Sequence, residues 1–133
     1  MAALGFEDID NQNRIANQGG LKPLVRLLRS PKTSERVLVT VIKTIGTLCI
    51  GVAHTNNKVT QKHIAEENAL TTLVQLLVAP PNKEIQVEVA YTIGCVVLAN
   101  AENQEKLLEE PGFKYDILLD LLNSGLMVSL LFI

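Results

Sequence analysis

Apolar residues recur along this chain at helical spacing, in a pattern that copies itself. The run Gly19-Gly20-Leu21-Lys22-Pro23-Leu24-Val25-Arg26-Leu27-Leu28 returns as Asn68-Ala69-Leu70-Thr71-Thr72-Leu73-Val74-Gln75-Leu76-Leu77, a shift of about 49 residues that marks stacked repeats. A third copy, Gly112 to Leu122, carries two extra residues between its turn and its apolar run. Within the second copy, Asn57 can cap a helix over Val59 to Glu67, with Ile64 pointing inward. Asn68-Ala69 turns the chain into a helix over Leu70 to Val78, and Pro80-Pro81 ends it, because a residue before proline is pushed out of the helical region. A longer third helix follows from Lys83 to Ala99, with Ile85, Val89, Ile93 and Val96 as its apolar stripe.

The first copy gives the same three elements. Asn13 to Gln18 supplies the short helix, Gly19-Gly20 the turn, Pro23 a tolerated first-turn proline and Ser30-Pro31 the break. Its third helix is expected from Ser34 to Val52, with Val37, Val41, Ile45 and Leu48 facing inward. These third helices match at a shift of about 48, so a residue is lost in the preceding break. The segment Val37-Leu38-Val39-Thr40-Val41-Ile42 has the local propensity of a strand. Its length and its apolar spacing of three and four favour a helix.

The short helix ending in Gly-Gly, the Leu-Val-x-Leu-Leu helix, and the long third helix with Ala90-Tyr91-Thr92-Ile93-Gly94 together resemble the armadillo repeat family over residues 11–122. The linker Asn100-Ala101-Glu102-Asn103-Gln104-Glu105, which recurs as Asp10-Asn11-Gln12-Asn13, is similar to that family's inter-repeat signature. The resemblance implies an all-α, armadillo-like right-handed α-solenoid. Two three-helix repeats, at about 11–54 and 57–99, are complete, and a third at 102–133 is incomplete, all within a single unit spanning 1–133. It also implies a concave groove lined by third helices that holds segments of partner proteins, and it implies no catalysis.

With the inward stripes assigned, a second stripe on each third helix is left to face that groove. On the first it comprises Arg36, Thr40, Lys43 and Thr47; on the second, Glu84, Glu88, Tyr91 and Cys95. Such residues can bind a segment of mixed charge, pair with each other across the repeat boundary, or simply face solvent. Tyr91 is the best anchor, since an aromatic with a hydroxyl suits a binding hot spot. Importin-α-like members of the family hold basic peptides with a tryptophan and, four residues on, an asparagine. Here Lys43 and Thr47, or Tyr91 and Cys95, stand at those positions, so an importin-like cargo adaptor is disfavoured.

Composition narrows the picture further. Hydrophobic residues make up 47% but aromatic ones only 4%, with no tryptophan, so the core must be aliphatic. A formal charge of −2 with both signs scattered gives no footprint for nucleic acid or an anionic membrane. Cys49 and Cys95 sit inside apolar runs and read as buried hydrophobes in a reducing compartment. The N-terminus lacks a signal-peptide pattern, which points to an intracellular protein, cytoplasmic or nuclear. Gly46-Thr47-Leu48-Cys49-Ile50-Gly51 has the glycine spacing of a phosphate loop but no following Lys-Ser/Thr, and His54, His63 and Cys49 lack metal-ligand spacing. No catalytic residue, metal or cofactor is therefore expected, and the glycines Gly46 and Gly94 read as places where a neighbouring helix approaches. The uncharged end, Leu126 to Ile133, is far short of the ~20 residues that span a bilayer. It reads as a truncated third repeat, an alternative C-terminus or an apolar cap, and offers a route to self-association. The expected partner is a protein or peptide; the alternative is a structural spacer or a self-associating solenoid fragment.

Overall fold

The computed structural model describes residues 2–123, leaving aside the side chain of Leu122. Every regular element among them is helical. A single turn, α1 (Ala2–Gly5), precedes α2 (Ile9–Asn17), α3 (Leu21–Arg29) and α4 (Glu35–Leu48). A second triplet follows as α5 (Lys58–Glu66), α6 (Ala69–Val78) and α7 (Lys83–Val97), and then α8 (Ala101–Glu109) and α9 (Tyr115–Asn123). The chain is thus an α-solenoid of stacked helical units. The expected third helix of the last unit, and the apolar C-terminal end expected to self-associate, lie outside the described residues.

Side chains start the helices at the same places in successive units. Asp8, Asn57 and Asn100 cap the first helices, accepting from the backbone N–H of Asn11, Val59 and Asn103 at 3.0 Å each. Ser34 and Asn82 do the same for α4 and α7. Each such cap contributes about 1 kcal/mol. The turns from first to second helix need a left-handed residue, supplied by Gly19 (φ 79°) and by Asn68 (φ 61°), the non-glycine residue that tolerates this region best. The β-branched run in α4 is helical. Thr40, Thr44 and Thr47 donate their hydroxyls to the carbonyls of Arg36, Thr40 and Lys43, one turn back.

Packing of α4 on α7, α3 on α4 and α6 on α7 builds one continuous aliphatic core. Ile42, Ile45, Leu48, Ile64, Leu73, Leu77, Ile85, Ile93 and Leu121 are its largest enclosed members. The expected inward stripe of α7 is buried throughout. In α4 the stripe is corrected at one position: Val37 is 43% exposed, while Leu38 and Ile42 join Val41, Ile45 and Leu48 inside. Val37 stands beside the buried Leu38, and its counterpart Ile85 in α7 is 1% exposed, so the difference lies in what packs against α4 rather than in the position along the helix. The helix also ends at Leu48, short of the expected Val52, because Gly51 leaves helical geometry and Ala53 and His54 both take positive φ.

Units are also joined by buried amides. The Gln12 side-chain amide donates to the carbonyls of Gly5, Thr47 and Ile50, and its own oxygen accepts from Asn57 at 2.9 Å. One unit later Gln61 donates to the carbonyls of Cys95 and Leu98 and accepts from Asn100 at 3.1 Å. The cap of one unit thus anchors to the glutamine of the unit before, and the same glutamine supplies donors for the carbonyls left open where a third helix ends.

Candidate third-helix groove

The C-terminal halves of α4 and α7 lie against each other, and their contact decides which groove residues remain available. Gly46 makes the approach feasible: a methyl group there would come within 3.1 Å of the Thr92 hydroxyl and 3.6 Å of its Cα. Thr92 uses that hydroxyl to donate to the Ile42 carbonyl at 3.0 Å, a direct bond from one third helix to the next. Gly94, read from the sequence as a second site of helix approach, is exposed, and a methyl group added there would meet nothing within 4 Å among the described residues; the third helix expected to follow α7 in the stack lies outside them.

Along this seam the two candidate stripes converge in part. Lys43 Nζ lies 3.5 Å from Glu88 Oε1, with 58% of the lysine side chain exposed but only 10% of the glutamate's. Lys43, Thr47, Glu88, Tyr91 and Cys95 share the lining of one cavity of about 370 Å³. Arg36, Thr40 and Glu84 do not reach it; they are exposed nearer the N-terminal ends of their helices. Glu88 and Cys95 are buried rather than displayed, and Tyr91 is half-buried, because α7 is pressed onto α4 at this level.

Burial also sets the chemistry of the cavity. It pushes the Cys95 thiol from its ordinary 9.0 up to about 11, against a smaller opposing hydrogen bond with Tyr91. Cys49, wholly enclosed and outside the cavity's lining, is pushed up further, chiefly by burial and then by the nearby Cys95. The Tyr91 phenol is raised too, first by burial and then by Cys95 and Glu88. Near neutral pH these groups are protonated: two inert thiols and a phenol that can donate or accept a hydrogen bond. Among the described residues no cluster of His, Cys, Asp and Glu is arranged to hold a metal ion. No helix there is long and apolar enough to cross a membrane.

The rest of the cavity wall was not visible in the sequence pattern. Phe6, Glu7, Ile50 and His54 complete it together with Gly46. Two short backbone bridges hold these segments, a parallel one between Glu7 and Gly51 and an antiparallel one between Ile50 and Asn56. One signal for the second segment was available: the caps Asp8 and Asn57 are 49 positions apart but Asn57 and Asn100 only 43. A larger hollow of about 700 Å³ lies between the second helices, with Arg29, Asn68, Thr71, Thr72 and Gln75 on its wall, but it contains none of the candidate residues. The guanidinium of Arg29 donates there to the Glu67 carbonyl.

Two relatives cover most of the chain. A mouse protein named ankyrin and armadillo repeat-containing protein is 45% identical over 122 residues, which is 92% of this chain and 8% of the relative. A human protein of the same name is 48% identical over 105 residues, or 79% of this chain and 7% of the relative. The chain therefore spans less than a tenth of the length of these curated relatives. No family model matches it, and no solved structure does. The helical units in their repeated register agree with the armadillo repeats in the name of these relatives, to which most of this chain is similar.

Proposed function

We propose that the chain is a non-enzymatic protein-interaction module that holds a segment of a protein or peptide partner along its third helices. The observation that carries this reading is the convergence of Lys43, Thr47, Glu88, Tyr91 and Cys95 from two successive third helices around one cavity. A half-buried tyrosine beside an ion pair offers a partner both area and directed hydrogen bonds, the combination on which binding hot spots depend. Arg36, Thr40 and Glu84 extend the same surface beyond the cavity as a solvated, polar approach. Lys43 is neutralised by Glu88, so the surface neither repels nor selects a partner through that lysine alone. No nucleic acid, membrane, metal or cofactor enters this reading. The named relatives support a repeat protein of the interaction type.

Affinity capture with the wild-type chain, compared with the double variant Lys43→Ala/Tyr91→Ala, tests the proposal. Neither side chain belongs to the enclosed core, so the variant should keep its helical circular dichroism. Captured partners should be lost or reduced at least tenfold. If a correctly folded double variant captures every partner as well as the wild type does, the groove reading is wrong.

A further inference from the structure

The segment joining α4 to the next cap departs from the register of the other units. Residues 49–56 lie between Leu48 and Asn57, whereas 98–99 suffice between Val97 and Asn100, and 6–7 between Gly5 and Asp8. The two short connections are built alike. Glu7 (φ 53°) and Ala99 (φ 49°) each take a left-handed conformation just before the cap. In each, an amide side chain reaches back seven residues, Gln12 to the Gly5 carbonyl and Asn103 to the Val96 carbonyl. The α4 connection is therefore an insertion, and it is held firmly. Gly51 N–H donates to the Thr55 carbonyl at 2.6 Å, and a methyl group on Gly51 would come within 2.9 Å of Ile9 and 3.0 Å of Thr55.

This insertion and the Phe6-Glu7 segment turn one end of the groove into a cup. Phe6 is 66% exposed and Ile50 is half-buried on its apolar wall, beside the Tyr91 ring. Two carboxylates, Glu7 and Glu88, line it against the single ammonium of Lys43, which is already engaged by Glu88. Glu7 makes no ion pair among the described residues, although it is a β-unbranched acid held in a conformation that non-glycine residues seldom adopt.

Building on the groove reading, we propose that the cup receives a large apolar side chain of a partner peptide, adjacent to a basic residue that pairs with Glu7. Apolar area within the cup holds the anchor, and the unmatched carboxylate at its edge selects the neighbour's charge. The specificity comes from the insertion and the N-terminal segment rather than from the third helices themselves.

The test is a titration of the isotopically labelled full chain with N-acetyl-phenylalanyl-lysinamide and its reversed-order isomer, followed by amide chemical shifts. Saturable shifts should gather at residues 6–7, 46–54 and 91–95. Replacing the probe's lysine with glutamate should weaken binding about threefold, the scale of one exposed ion pair, and replacing its phenylalanine with alanine about tenfold. The chain variant Glu7→Lys should invert the charge preference, and Phe6→Ala should weaken both probes; both positions are exposed, and shifts elsewhere report that each variant is folded. Absent or scattered shifts, or a charge preference unmoved by Glu7→Lys, overturn the assignment. If the probes miss the cup while Lys43→Ala/Tyr91→Ala still abolishes partner capture, the cup assignment alone fails. If they bind the cup while capture is unaffected, the cup assignment is supported and the extended groove reading fails.

Discussion

Gly46 in α4 and Gly94 in α7 hold matching places in successive third helices, yet a methyl group would meet Thr92 at 3.1 Å from the first and nothing within 4 Å from the second among the described residues. The same residue at the same place therefore has two meanings. At Gly46 it is a packing requirement, because α7 lies directly on α4 and Thr92 reaches across to the Ile42 carbonyl. At Gly94, which is exposed and meets no such neighbour among the described residues, glycine brings the conformational cost it has in any helix interior. A repeat sequence records what a position needs when a neighbour is present, and the fold decides where the neighbour stands.

The largest effect of substitution is expected at the covered site. Gly46→Leu should destabilise the chain by about 1–3 kcal/mol, since the side chain cannot fit without moving α7, and chemical denaturation will measure it. An unchanged denaturation midpoint would mean that the α4 and α7 contact is loose enough to admit the side chain. Next in size, Thr92→Val removes the bond between third helices while keeping the shape, and should cost about 1 kcal/mol. At the open site the sign reverses. Gly94→Ala should raise stability by about 0.5–1 kcal/mol through helix propensity alone, and a loss of stability there would show that the site is not open.

Most of the fold was legible because helical spacing, caps and proline breaks are local signals, repeated in register. Ile85, Val89, Ile93 and Val96 could be placed inside from their spacing alone, and Asn57 could be named as a cap from its neighbours. Val37 could not be told from its buried counterpart Ile85, because its exposure depends on what packs against the start of α4, and that is set by elements distant in sequence. The groove stripe was legible only as a stripe. Its division into the cavity group of Lys43, Thr47, Glu88, Tyr91 and Cys95 and the outlying Arg36, Thr40 and Glu84 follows from how α4 and α7 meet. Phe6, Glu7, Ile50 and His54 arrive from connections without periodicity, so apolar spacing carries no trace of them. Gln12 and Gln61 read as polar residues in short helices; only the structure shows them enclosed and bonded to the ends of third helices.

Position-specific photo-crosslinking asks whether the proposed partner sits where the two third helices converge. A benzophenone amino acid placed at Tyr91, with a control at Gln75 on the hollow between the second helices, should be irradiated in the presence of captured partners. A discrete adduct from position 91 that is absent from position 75 is the expected result. No adduct at 91, or equal labelling from 75, would mean that the partner does not sit between α4 and α7.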